Sequence, residues 1–171
     1  MDELKQNPKG NQKTWVQSHL SSIVVFGVVM ILILMQWPLL KGVFYRATGM
    51  GATDQISWRA DYPTALDEAG VSGKPLLLVF GAIWCPPCQV MKHEVWPDKR
   101  VEQIANEKFI PVYIDGDTQE RIMAKFGVMY YPTIIAASSA GEPLSQVGIS
   151  SASEMVAFLN HSLQNRADLA P

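Results

Sequence analysis

Residues 76–88 read LLLVFGAIWCPPC and carry the strongest structural signal in the chain. Its first five residues form a continuous apolar run, which is typical of a strand buried on both faces of a sheet. Two cysteines, Cys85 and Cys88, follow at once with two prolines between them. A helical pattern then continues to about Val95. The sequence therefore predicts that the cysteine pair lies where a buried strand passes into a helix.

Strand and helix patterns alternate through the rest of the chain. Most of the strand patterns are too far apart in sequence for hairpins, so a mixed central sheet flanked by helices is the economical packing. Capping-box residues open two of the helices, Asp117 with Glu120 and Ser151 with Glu154. The predicted strands after the first are 109–114, 133–137 and 144–147, and the predicted helices are 63–69, 99–106, 117–126 and one that begins at Ser151. The fold class is therefore α/β.

Cys85 and Cys88 have the spacing of a redox pair. At the start of a helix, unpaired backbone N–H groups and the positive end of the helix dipole stabilise a thiolate. The thiolate is the attacking species in disulfide exchange, so Cys85 is the predicted nucleophile. Cys88, one turn later, can then attack the mixed disulfide and release the product. A C-x-x-C pair beside alternating strands and helices favours this chemistry.

Two other chemistries use such a pair. A structural zinc ion needs four ligands, and the three histidines, His19, His93 and His161, are scattered along the chain, so no metal site is predicted. Transfer of copper or zinc through the two thiols remains an alternative, as does a fold that serves only as an assembly scaffold. A purely structural disulfide is disfavoured, because so short a loop constrains little of the unfolded chain.

From Trp58 to Leu163 the sequence resembles the thioredoxin superfamily. The resemblance is carried by Trp84-Cys85-Pro86-Pro87-Cys88 and by Tyr131-Pro132-Thr133, which matches the position of the family's cis-proline. It implies a thioredoxin-like fold and protein dithiol or disulfide substrates, with no cofactor beyond a redox-active disulfide between the two cysteines. It also implies substrate contacts, which we expect from Trp84, Pro86, Pro87, Tyr131 and Pro132.

Within the superfamily, Glu94 to Asp98 is similar to a branch that includes the C-terminal periplasmic domain of the transmembrane disulfide reductase of the Dsb system. The thioredoxins of cytochrome c maturation are a second possibility. Two positions depart from the ordinary thioredoxin pattern. Val79 stands where the family has a buried aspartate that serves the second cysteine, so Glu94 or a water molecule must substitute for it. His93 stands where the family has a helix-kinking proline.

The charge balance of the chain excludes one class of partner. The formal net charge is -2, with 14 basic and 16 acidic residues. A nucleic-acid partner would require a basic excess to offset phosphate charge, so none is expected.

An apolar segment precedes the predicted domain. No charged residue occurs from Thr14 to Leu40, and Trp15 and Trp37 bracket the run as aromatic residues do at membrane interfaces. At helical rise these two tryptophans are roughly 33 Å apart, which matches a bilayer core of roughly 30 Å. The pattern predicts a transmembrane signal anchor over residues 15–40. A cleaved signal peptide is the rival interpretation, although no clear cleavage site follows the run.

These patterns divide the chain into consecutive parts. We expect a cytoplasmic tail at 1–14, the anchor at 15–40, a tether at 41–55, the thioredoxin-like domain at 56–164 and a tail at 165–171. The expected location is a bacterial inner membrane crossed once, with the C-terminal domain in the periplasm. The expected redox partner is a membrane electron donor of the disulfide-reductase type. The direction of exchange is not readable from the sequence.

Overall fold

The computed structural model describes residues 10–49 and 51–168, and the chain divides into two units, 1–37 and 38–171. Helix α1 spans Gly10–Met35 and helix α2 spans Trp37–Thr48. Residues 10–14 of the predicted tail therefore begin α1, and residues 41–48 of the predicted tether belong to α2. Residues 1–9 and 169–171 of the two predicted tails lie outside the described residues.

The length and apolar composition of the helices do not confirm the predicted transmembrane helix. Within the described part of the chain, no single helix is both long and apolar enough to cross a membrane. One broken pair, Ser22–Met35 with Leu39–Thr48, meets the criterion when its two helices are taken together. The anchor at 15–40 therefore stays a prediction.

The described residues form a sheet of four strands: β1 (Leu76–Gly81), β2 (Ile110–Asp115), β3 (Thr133–Ala137) and β4 (Pro143–Val147). The strand order is β2-β1-β3-β4, with β1 parallel to β2 and antiparallel to β3. β3 and β4 are also antiparallel. The predicted mixed α/β sheet is confirmed. Pro111 is tolerated in β2 because that strand lies at the sheet edge.

Helices surround this sheet, in chain order α3 (Tyr62–Ser72), α4 (Pro86–Glu94), α5 (Lys99–Lys108), α6 (Glu120–Phe126) and α7 (Ala152–Asp168). Helix α3 begins at an Asp61 cap, whose carboxylate accepts from the Thr64 backbone N–H, and ends at Gly73 in the left-handed conformation. Helix α4 starts directly at the first proline of the CPPC motif. The cysteine pair therefore lies at a strand-to-helix junction, as predicted.

One of the two predicted capping boxes is present. Ser151 and Glu154 exchange hydrogen bonds at the start of α7, as the sequence predicts. The box at Asp117 and Glu120 is wrong, because α6 begins at Glu120 and its cap residue, Gln119, makes no side-chain capping bond. Residues 117–119 instead form a turn closed by backbone bonds to the Asp115 carbonyl, which leaves the Asp117 side chain free for another partner.

The sheet has two distinct faces. Alternate residues of a strand point to opposite faces, and residues paired across a ladder point to the same one. We call the face that carries Val79, Gly81, Tyr113 and Asp115 the active face; Val79 pairs with Tyr113 and Gly81 with Asp115. We call the other the packed face; its residues include Leu78, Phe80, Val112 and Ile114, all fully buried.

Each face has its own apolar core. On the packed face, the strands contact α3 and α6, and the Phe126 ring packs against both Tyr62 and Phe80. On the active face, Val79 joins Met91 of α4 and Trp96 in a core that also includes Met155 and Leu159 of α7. Trp58 packs edge-on against Trp96 at the border of this second core.

Candidate active site

Cys85 and Cys88 are joined by a disulfide bond at the start of α4. Cys85 is the cap residue of the helix, and its Sγ atom accepts a hydrogen bond from the Cys88 backbone N–H at 3.2 Å. A sulfur at this position can accept hydrogen bonds from the unpaired N–H groups of the first turn, and it lies at the positive end of the helix dipole. Pro86 and Pro87 occupy the first helical turn, where a missing N–H costs nothing.

The two sulfur-bearing residues differ in their surroundings. Cys85 is buried, with 3% of its surface exposed, whereas Cys88 is partly exposed. Of the two, only Cys88 lines a cavity below the helix. The second cysteine therefore faces a cavity in the domain, a feature that no pattern in the sequence predicts.

The Tyr131–Pro132 peptide bond is cis, as the resemblance implied for this position. Pro132 is buried immediately before β3 and lines the same cavity as Cys88, so tertiary folding brings the proline and the cysteine pair together. The following Thr133 is fully buried, and its hydroxyl donates to the Tyr130 carbonyl at 2.8 Å. That hydrogen bond ties the loop to the strand beside the site.

Trp84 and Tyr131 meet beside the motif. Their rings pack edge to face with centroids 5.8 Å apart, and the Trp84 indole N–H donates to the Asp117 carboxylate at 2.9 Å. The Tyr131 hydroxyl donates to the Met123 sulfur at 2.8 Å. Trp84 remains 50% exposed, so it is a surface residue beside the cysteines and not part of the core. Asp117 thus holds an indole in place rather than capping a helix.

The two loops that carry these rings also carry exposed apolar side chains. The loops are the one before Cys85 and the one around the cis-proline, and the side chains include Ile83, Met129 and Tyr130. Met129 has the largest exposed fraction of the three, 89%. The site therefore offers an apolar surface next to the cysteine pair.

The cavity below the helix has a volume of about 450 Å³. Its floor is the active face of the sheet, with Val79 and Gly81 from β1 and Tyr113 and Asp115 from β2. Other lining residues come from α4, from the segment before α3 and from the cis-proline loop; they include Asp54, Trp58, Cys88, Gln89, Met91, Lys92 and Pro132. Asp54 is engaged, because its carboxylate accepts from the Trp58 indole at 2.9 Å.

Tyr113 was not predicted as a site residue. Burial raises the pKa of its phenol, and the nearby carboxylates of Asp115 and Asp117 raise it further, so the hydroxyl stays protonated at neutral pH. A period-two pattern in the sequence could have located it. Ile110, Val112 and Ile114 alternate with Pro111, Tyr113 and Asp115, which places the tyrosine on the face opposite the apolar residues.

Glu94 does not substitute for the missing aspartate near Cys88. It does not line the cavity, and its Oε1 atom accepts from Lys41 at 2.9 Å and from the Tyr45 hydroxyl at 2.8 Å. Burial works to raise the pKa of this carboxyl, but the bonds from Lys41 and Tyr45 outweigh it and lower the pKa. The neighbouring His93 ring packs against Tyr45. Both side chains therefore hold α2 against α4.

The same contact brings α2 close to the motif. Gly42 is buried, and a Cβ atom on it would lie 2.1 Å from the Pro86 carbonyl oxygen, so only glycine fits there.

As for metals, no group of three or more possible ligands among His, Cys, Asp and Glu occurs in the described ranges 10–49 and 51–168.

Comparison with known proteins gives a consistent result. Residues 57–136 match the family model described as thioredoxin-like. The thiol:disulfide interchange protein DsbD of Yersinia pestis (strain Pestoides F) is 29% identical over 100 residues, 57% of this chain. The match covers 17% of that protein, so the chain spans about a sixth of the length of this relative.

Solved structures share the fold. A thioredoxin from Thermus thermophilus superposes with a TM-score of 0.57 at 25% identity, covering 63% of this chain and 88% of that one. The oxidoreductase DsbH superposes with a TM-score of 0.59 at 19% identity, covering 67% of this chain and 87% of that one.

Proposed function

We propose that this chain, whose folded domain belongs to the thioredoxin superfamily and resembles the DsbD interchange proteins, is a thiol:disulfide oxidoreductase. The observation that carries the proposal is the Cys85–Cys88 disulfide at the start of α4, beside the cis-proline Pro132. A helix N-terminus stabilises the thiolate that disulfide exchange needs. No cofactor beyond this pair is required.

The exchange balances with the groups present. In the reducing direction, the Cys85 thiolate attacks a substrate disulfide, forms a mixed disulfide and releases one substrate thiolate. The Cys88 thiol loses its proton to solvent, and its sulfur attacks Cys85 Sγ. The Cys85–Cys88 bond forms while the second substrate thiolate leaves. The substrate disulfide gains two electrons, and the domain's dithiol loses two.

Substrate proteins dock on the apolar surface beside the motif. Trp84, Pro86 and Pro87 come from the motif itself, and Tyr131 and Pro132 come from the cis-proline loop, whose Tyr131 ring packs on Trp84. The exposure of Trp84 and its packing on Tyr131 support this assignment. The backbone next to a buried proline presents an edge that an extended substrate segment can pair with.

The domain acts at a membrane, anchored by residues 15–40, and faces the periplasm. Two features support this part of the proposal: the charge-free stretch from Thr14 to Leu40, and the apolar side chains from Ile23 to Met35, which are exposed in α1. A contiguous apolar surface of that kind requires a partner or a lipid environment. The resemblance of Glu94 to Asp98 to the disulfide-reductase branch is the basis for proposing reduction as the direction and a membrane electron donor as the partner.

Reduction of insulin or of a small disulfide substrate by the full chain in detergent, with dithiothreitol as the reductant that restores the dithiol and with its uncatalysed reaction subtracted, tests the activity. We expect turnover by the wild type and loss to background in Cys85→Ser. The Cys88→Ala chain should still attack but remain trapped as a mixed disulfide, visible by mass spectrometry without reducing agent. Full activity of Cys85→Ser would reject the proposal.

Membrane attachment has a separate test. Alkaline extraction of bacterial membranes should leave the full chain in the pellet, whereas a chain that begins at residue 38 should be released. A membrane-impermeant thiol reagent applied to whole spheroplasts should label Cys88 in the Cys85→Ser chain if the domain is periplasmic. Protection of that cysteine until the cells are lysed would place the domain inside.

A further inference from the structure

Tyr113 and Cys88 approach each other across the backbone of Gly81. A Cβ atom built on Gly81 would stand 2.9 Å from the Tyr113 hydroxyl oxygen and 3.4 Å from Cys88 Sγ. Both atoms therefore border the same point on the floor of the cavity, and only the absence of a side chain at Gly81 leaves the space between them open. The sulfur that borders this point is that of Cys88, the second cysteine of the motif.

The sheet register explains why the tyrosine is there. Tyr113 pairs with Val79 and Asp115 pairs with Gly81, so these four residues form one continuous patch of the active face. Val79 offers no polar atom to the cysteine above it. The Tyr113 hydroxyl is thus an uncharged polar group that the sheet places next to Cys88, and the residue is 37% exposed at the cavity wall.

We propose that the Tyr113 hydroxyl donates a hydrogen bond to the Cys88 thiolate and so promotes the second step of exchange. This inference rests on the proposed function, because that thiolate arises only when the disulfide is open. A hydrogen bond to a charged acceptor is stronger than one between neutral groups. The hydrogen bond therefore stabilises the ionised form of Cys88 more than the thiol, and the ionised form is the one that attacks Cys85 Sγ.

The other charged groups around Cys88 are compatible with this role. Lys92 of α4 lines the same cavity and favours an anion there, whereas Asp115 of β2 disfavours one. Asp54, from the segment before α3, is held by Trp58. Burial and the carboxylates of Asp115 and Asp117 keep the Tyr113 phenol protonated, so it acts as a donor and not as a base. The Cys88 proton leaves to solvent through the mouth of the cavity.

The test uses the chain's small number of cysteines. With two in the sequence, Cys85→Ser leaves Cys88 as a lone thiol whose alkylation can be followed against pH. In that background, Tyr113→Phe should move the midpoint of the alkylation profile up by about one pH unit, the size expected for one lost hydrogen bond to a charged group. The matched control is Tyr62→Phe, which removes a phenolic hydroxyl from the packed face and should leave the midpoint unchanged.

A second readout uses both cysteines. With the reduced full chain and a disulfide substrate, acid quenching should trap about tenfold more mixed disulfide on Cys85 in Tyr113→Phe than in the wild type or Tyr62→Phe. Gly81→Ala keeps the hydroxyl but places a methyl group 2.9 Å from it, and should shift the alkylation midpoint in the same direction.

These outcomes separate the inference from the function. Identical midpoints and identical mixed-disulfide levels in Tyr113→Phe and Tyr62→Phe would overturn the role of Tyr113, while turnover by the wild type and its loss in Cys85→Ser would still stand. If Tyr113→Phe fails to fold, an unchanged midpoint in Gly81→Ala overturns the inference instead.

Discussion

The two faces of the sheet are built from the same strands but differ in kind. On the packed face, Phe80 is completely buried and contacts Phe126, which in turn packs on Tyr62. On the active face, Val79 and Gly81 border a cavity of about 450 Å³ that also contains the second cysteine. Each face contributes an apolar core that stabilises the domain, and the active face in addition borders a space where a thiol can ionise.

This difference follows from alternation along β1. Neighbouring residues of one apolar run, Val79 and Phe80, point to opposite faces and therefore meet different environments. Filling a space with apolar atoms gains stability, whereas a redox sulfur requires room and a polar neighbour. Substitutions on the packed face should therefore change stability alone, whereas the residues of the active face that border the cavity should also affect chemistry.

The largest effect is expected at Phe80. Phe80→Ala removes a fully buried ring and leaves a cavity between β1 and α6, which should lower the free energy of unfolding by about 3–5 kcal/mol. Denaturant unfolding followed by tryptophan fluorescence measures the loss. The folded fraction should keep its exchange activity.

Val71→Ala provides the control, because it truncates an apolar side chain that is 93% exposed within the same domain and should move stability by less than about 0.5 kcal/mol. If Phe80→Ala abolished exchange in the folded fraction, the separation of the two faces would fail.

Val79→Ala tests the active face by a smaller change. The side chain loses two methyl-sized groups, whose burial contributes about 1–2 kcal/mol to the free energy of unfolding. Because Val79 borders the cavity, the space left by the lost groups adds to an existing opening. We expect a destabilisation near the lower end of that range, measured by the same unfolding experiment. Val71→Ala, at a position 93% exposed in α3, should be close to neutral. A loss as large as that of Phe80→Ala would show that the active face is packed just as rigidly.

The smallest effect is expected at Asp98, whose carboxylate makes the stability of the active-face core depend on pH under acid conditions. Asp98 caps α5, which contributes Val101 and Ala105 to that core, and hydrogen bonds from the Arg100 side chain lower the Asp98 pKa to about 2. A lowered folded-state pKa means that the charged form stabilises the fold. That contribution is complete above the ordinary aspartate pKa of about 4 and is lost as the pH falls towards 2.

Unfolding curves between pH 5 and pH 2 should therefore show a shallower loss of stability in Asp98→Asn than in the wild type, since asparagine keeps the cap without the charge. Equal slopes would mean that the ion pair with Arg100, which is partly exposed, contributes nothing to acid sensitivity.

Much of the fold was predictable because its signals are local. The apolar run at 76–80, the cysteine spacing and the Ser151 capping box depend on neighbouring residues, and the structure has each where the sequence predicts it. The cis bond before Pro132 was expected from the family resemblance and is present. The Asp117 capping box failed because another local arrangement, the turn after β2, occupies the same residues.

Periodicity and spacing are local signals, and they are sufficient to predict the α/β class, the order of the elements and the position of Cys85 and Cys88 at the start of a helix. The polar groups around the sulfurs depend instead on how distant segments pack together. The pairing of β1 with β2 brought Tyr113 beside Cys88, and packing of α2 on α4 engaged Glu94 elsewhere. Such neighbours lie 25 or more positions apart in the chain, and no local pattern specifies which distant side chain will be close once the strands align.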